Sequence, residues 1–88
     1  MGKVLTIIKI LPENVEIDLK QLLEDIKRSL PENAEFKDSK EEPIAFGLKA
    51  LKIAVVVPDA EGGTDILEET IKNVKGVGQV EIEHATRI

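Results

Sequence analysis

The side chains able to do chemistry are few. There is one histidine, His84, and no cysteine. A nucleophilic site needs a base held against a hydroxyl or thiol and oriented by a third group. His84 stands in Val80-Glu-Ile-Glu-His-Ala85, where alternation sets it in line with Val80 and Ile82 as a structural residue, and no Ser-His-Asp set stands out. The missing cysteines remove disulfides, CxxC redox chemistry and thiolate metal sites. We therefore expect no catalytic residues, no metal and no cofactor. Gly62-Gly63 precedes a helical pattern, and backbone amides at a helix N-terminus can receive an anion. Asp59, Glu61 and Asp65 would repel one, so a tight strand-to-helix turn is the expectation there. Phe46, one of two aromatic residues, lies between Pro43 and Gly47, residues that punctuate turns. It either folds over the end of a sheet or anchors a partner, since aromatic residues are enriched among interface hot spots. Arg87, one residue from the C-terminus, reads by itself as a solvated terminal residue.

The elements that position these residues follow from hydrophobic period. Val4–Leu11 is β-branched and apolar and predicts a central strand ended by Pro12. Asp18 then caps a helix, with Gln21 in the capping-box position and Ile17 placed to staple onto Leu22. Leu19, Leu22, Leu23, Ile26 and Leu30 form its apolar face, and Pro31 ends it. Residues 34–40 alternate Ala34 and Phe36 with charges, which suits a short edge strand with Phe36 in the core. Residues 48–57 predict a second central strand. Asp65 and Glu68 suggest a capping box for a second helix whose inner face holds Leu67, Thr70, Ile71 and Val74, with Gly76-Val-Gly78 as its exit. Val80–Ala85 predicts the last strand. The run Glu13–Asp18 reads as a solvated acidic loop.

The 88 residues allow one domain, residues 1–88, with one modest core. The order βαββαβ predicts an α+β, ferredoxin-like sandwich: a four-stranded antiparallel sheet, order 4-1-3-2, with both helices on one face. Val4, Ile8, Ile10, Leu51, Ile53, Val55 and Val57 should lie under the helices. Leu5, Ile7, Ala50, Ala54 and Val56 should share the open face with Lys3, Lys9 and Lys52. A partly apolar face of this kind suits a partner or self-association.

Several functions that use this architecture fail on residue grounds. A phosphate-holding site of acylphosphatase type needs an arginine after the first strand, and Leu11–Glu16 has no basic residue. RNA-recognition domains stack bases on sheet aromatics, and the central strands here have none. The net charge is −5, with only two arginines and no basic tract, which argues against direct nucleic-acid binding. No apolar run reaches the length of about 20 residues that spans a bilayer, and the first residues lack a signal-peptide cleavage pattern. A cytoplasmic protein with no membrane association is expected.

The stretch Glu41–Ile71, EEPIAFGLKALKIAVVVPDAEGGTDILEETI, resembles the guanine-nucleotide exchange domain of the translation elongation factor 1-beta family, in its compact archaeal form. The carrying features are Pro-Ile-(small)-aromatic-Gly-Leu-Lys, an apolar strand, and an acidic loop running into Gly-Thr-Asp-(apolar)-Leu-Glu-Glu. The resemblance extends over the whole chain. It implies exchange of guanine nucleotide on the GTPase elongation factor 1-alpha, promoting GDP release and so GTP loading, without any bond made or broken by the exchange protein. It further implies partner contacts at two ends of the sheet: Ala45, Phe46 and Gly47 at one, and Asp59, Glu61, Gly62, Gly63, Arg87 and Ile88 at the other. Arg87 stands where eukaryotic members usually have the lysine that intrudes near the GTPase's Mg²⁺. Arginine is larger, planar and always charged, so its charge is retained while its geometry differs. A monomer is the favoured state. The alternative reading is a small-molecule-binding regulatory domain of the same topology, which would self-associate or take a metabolite in place of a GTPase.

Overall fold

The computed structural model describes residues 2–45, 47–59 and 63–88. The alternation Val4, Thr6, Ile8, Ile10 builds β1 (Lys3–Pro12), with Thr6, Ile8 and Ile10 fully buried on one side. It is followed by α1 (Leu19–Ser29), β2 (Glu35–Ala45), β3 (Leu48–Pro58), α2 (Gly63–Lys72) and β4 (Val77–Arg87). The sheet order is β2-β3-β1-β4 with every pairing antiparallel, which is the predicted ferredoxin-like arrangement read from the other edge.

The predicted register also holds. Ile8, Ile10, Leu51, Ile53, Val55, Val57 and Val80 form one buried cluster with Leu22 and Ile26 of α1 and Leu67 and Ile71 of α2, so both helices cover the same face. Each such side chain withdrawn from water contributes about 1.5–3 kcal/mol. A one-residue slip would move the whole set to solvent, which is why the register is well specified. Phe36 packs at the edge of this cluster, with the Lys27 ammonium 4.7 Å from its ring centroid. Thr6 is the one buried polar side chain among the described residues, and its hydroxyl has no hydrogen-bond partner there.

Helix α1 starts as expected. The Asp18 carboxylate accepts from Lys20 N–H at 3.0 Å. The second half of the capping box is not made, because the Gln21 side chain donates to Asp25 one turn on, at 3.0 Å. Leu30 is extended, as the residue before Pro31 must be. Helix α2 differs from the expectation. It begins at Gly63, so Asp65 lies within the first turn rather than capping it, where its charge is favourable to the helix dipole.

Two strands are longer than their hydrophobic patterns indicate. β2 continues through Glu41, Glu42 and Pro43 to Ala45. The edge of a sheet tolerates proline because one side needs no ladder donor. The pairing of Ala45 with Leu48 leaves a two-residue loop, in which Gly47 has φ +79°, a conformation that disfavours any side chain. β4 starts at Val77 and extends to Arg87, which pairs with Val4. At its start Gly78 lies so close to β1 that a Cβ there would meet Pro12 O at 2.9 Å.

Candidate functional site

Strand direction sorts the candidate residues into two groups. β1 and β2 run one way and β3 and β4 the other. The β2–β3 hairpin therefore lies at one end of the sheet, together with Pro12 and Val77. Lys3, Glu35, Pro58 and Arg87 lie at the other. Ten residue steps of β3, from Leu48 to Pro58, span about 33 Å at about 3.3 Å each. The longest dimension of the molecule is 43 Å.

At the hairpin end, Ala45 and Gly47 are exposed. Phe46 lies outside the described residues. The hairpin faces the β1–α1 loop across a cleft of about 530 Å³, whose lining includes Asn14, Val15, Glu41, Gly47 and Leu48. Two large apolar side chains stand in water here, Val15 at 64% and Ile44 at 44% exposure. Neither was among the expected contact residues. For Val15 a signal was available, an isolated valine inside Glu-Asn-Val-Glu, which no core pattern uses. The acidic loop is not merely solvated. Glu13 N–H donates to Gly76 O at 2.9 Å, and Gly76 N–H donates back to the Glu13 carboxylate at 3.2 Å. This reciprocal pair pins the loop to the exit of α2.

At the opposite end, Arg87 is not a frayed terminal residue. It sits in the β4 ladder, Ile88 N–H donates to Lys3 O at 2.9 Å, and Arg87 Nε lies 2.8 Å from Asp59 Oδ2. The Arg87 side chain is still 80% exposed, so its charge is held but not hidden. Ile88 and Ile66 are also exposed at this end, on the residue after β4 and in the first turn of α2. Glu61 and Gly62 lie outside the described residues, as does the anion-site question attached to Gly62-Gly63; Gly63 opens α2.

The structure corrects the placement of His84. Alternation sets it in line with Val80 and Ile82, but the pairing jumps from Ile8–Ile82 to Ile7–His84, leaving Glu83 as an extra residue. This β-bulge shifts the alternation by one. His84 therefore joins Ile7 on the open face and is exposed.

The open face is also more polar than expected. Val56 and Ala50 are buried, and Lys52 spans the middle with Nζ 2.8 Å from Glu42 Oε2 and 3.0 Å from Glu83 Oε1. Hydrogen bonds to the two carboxylates raise the Lys52 pKa, and the bond from Lys52 lowers that of Glu42. A shallow depression of about 400 Å³ over Ala54 is bordered by Asp38, Lys52, Glu83 and His84. Among the described residues no three carboxylate or imidazole groups gather as metal ligands, and no helix is long and apolar enough to cross a membrane.

The EF-1 guanine nucleotide exchange domain family matches residues 5–88. Curated relatives named elongation factor 1-beta include that of Staphylothermus marinus, 53% identical over 100% of this chain and 99% of its own length. That of Desulfurococcus amylolyticus is 51% identical over the same shares, and that of Methanothermobacter thermautotrophicus 44%. With likeness of this degree along the whole chain, and with the ferredoxin-like sheet that the residues build, the protein belongs to the EF-1 guanine nucleotide exchange domain family.

Proposed function

We propose that this chain promotes GDP release, and so GTP loading, on translation elongation factor 1-alpha in the cytoplasm, and that it catalyses no chemical reaction itself. The observation that carries the reading is the full-length likeness to proteins named elongation factor 1-beta. The structure supports it with two exposed ends of different chemistry about 33 Å apart along the sheet, a separation that suits a strut gripping two places on a large GTPase.

The mechanism is differential binding. A protein that prefers the nucleotide-free GTPase weakens nucleotide binding by the same coupling free energy with which nucleotide weakens its own binding. GTPases hold the β- and γ-phosphates and Mg²⁺ with a P-loop, its lysine and a Ser/Thr ligand. A guanidinium brought near the metal position would compete for those anionic oxygens. Arg87 has the charge and the exposure for that role, while Ala45, Phe46 and Gly47 anchor the partner at the hairpin end. Asp59, Glu61, Gly62, Gly63 and Ile88 would border the Arg87 contact.

Release of a fluorescent GDP from elongation factor 1-alpha, titrated with the protein, tests this. We expect acceleration that saturates, with no GTP hydrolysis by the isolated chain. Arg87→Ala should lower the saturating rate more than the affinity, and Arg87→Lys should retain much of the activity. No acceleration by the wild-type chain would reject the function. An unchanged saturating rate in Arg87→Ala would reject the role given to that residue.

A further inference from the structure

The geometry points to Asp59 as a positioning residue for Arg87: its carboxylate holds the guanidinium in place and does not itself contact the GTPase. This rests on the exchange function proposed above.

Asp59 follows the last residue of β3, and Arg87 is the last residue of β4. These strands are not neighbours, because β1 lies between them. The ion pair therefore braces the sheet end across the intervening strand. Asp59 and Ile88, the residue after Arg87, are also tied by backbone to Gly2 and Lys3 at the start of β1. Asp59 N–H donates to Gly2 O at 3.0 Å, and Ile88 N–H donates to Lys3 O at 2.9 Å. The Asp59 and Arg87 side chains then meet at 2.8 Å, through Nε of the guanidinium. Among the described residues Asp59 is the only carboxylate within ion-pair distance of Arg87.

A guanidinium carries five N–H donors in a rigid fork, and a bond through Nε uses one of them. Four donors and the full charge are left for a partner. An arginine side chain exposed to this degree would otherwise spread over many rotamers, and ordering it opposes the step in which GDP is expelled. The Asp59 carboxylate removes part of that disorder beforehand. The acid is itself 30% exposed against 80% for the arginine, so the pair presents the cation outward and keeps the anion behind it. This disposition suits an anionic target. A carboxylate offered directly to phosphate oxygens would be repelled.

The test uses the full chain and elongation factor 1-alpha loaded with fluorescent GDP. Asp59→Asn removes the charge at nearly constant shape. We expect its saturating release rate to fall about three- to fivefold, the scale of one exposed ion pair, with the half-saturating concentration unchanged. Asp59→Glu should restore most of the rate. Asp59→Asn placed in Arg87→Ala should lower the rate no further, which a general structural defect would not produce. A melting temperature within about 3 °C of wild type checks the fold; should the Asn variant fail this, the Glu variant and its double mutant carry the same comparison. An unchanged or higher rate in Asp59→Asn with Arg87→Ala impaired overturns the positioning role and leaves the exchange function intact. An equal further loss in the Arg87→Ala background overturns it in favour of direct contact by Asp59. A saturating rate insensitive to Arg87→Ala overturns the positioning role together with the assignment of Arg87.

Discussion

The two ends of the sheet are built on different principles. The hairpin end is closed by a two-residue loop and shows apolar side chains, Val15 and Ile44, beside a cleft. The other end has no hairpin joining its strands. It too exposes apolar side chains, Ile66 and Ile88, and is set apart by the exposed Arg87 charge, held by Asp59 and by backbone bonds to Gly2 and Lys3. Apolar area gives affinity once water is excluded, whereas an exposed charge contributes little net affinity and much directed electrostatics. The ends differ in the charge they present, and under the function proposed above one would hold the partner and the other perturb it.

The largest effect should come from the holding end. Phe46→Ala is expected to weaken GTPase binding about 30-fold, the equivalent of about 2 kcal/mol at a hot spot, with the saturating release rate retained. Titration of release rate against protein concentration separates the two quantities. A variant that unfolds at ordinary temperature would instead make Phe46 part of the core.

Gly78→Ala probes what supports that same end. The new methyl would meet Pro12 O at 2.9 Å and Glu13 Cα at 3.1 Å, so backbone must move. We expect about 1–2 kcal/mol of destabilisation in urea unfolding. The displaced segment carries the Glu13–Gly76 pin and Val15, so affinity should fall while the Arg87 end keeps its saturating rate. A lowered saturating rate with unchanged affinity would show that the ends are not separable.

The smallest effect should lie midway between the ends, in the Glu42–Lys52–Glu83 cluster. Glu42 is lowered below its ordinary 4.5 by the bond from Lys52, so its contribution to stability is present above pH 4.5 and is lost as pH falls through the lower folded value. Lys52 is raised above 10.5 by Glu42 and Glu83, so its contribution is present below pH 10.5 and is lost as pH rises through the higher folded value. Thermal unfolding of wild type against Lys52→Met should differ most between these limits and converge at both extremes. A difference independent of pH would assign the effect to the lysine's aliphatic stem.

Element order, sheet order and register were legible because period and burial agree along β1, β3 and α1. Ile8, Ile53 and Leu22 each satisfy both. What escaped was set by pairing rather than pattern. β2 beyond Lys40 has no apolar period, and its extension to Ala45 comes from a ladder with β3 that a charged edge sequence does not announce. The candidate residues among those described fall at opposite ends of the sheet, as the strand order expected from the sequence implies. The bond between Asp59 and Arg87 was not legible, since it joins positions far apart in sequence across an intervening strand.

The extra residue at Glu83 has a consequence for how this chain tolerates change. Between Gln79 and the bulge, even-numbered positions of β4 face the helices; after it, odd-numbered ones do, so Arg87 emerges on the same side of the sheet as Asp59. Removing Glu83 would close the bulge into a regular ladder, with His84 still opposite Ile7 and Arg87 still opposite Val4, so the arginine would keep its side of the sheet. The segment from Glu83 to Arg87 thus holds one residue of slack, and what the loss of Glu83 removes is its bond to Lys52 and the local twist of the bulge. Deletion of Glu83 should therefore leave the Arg87–Asp59 pair in place.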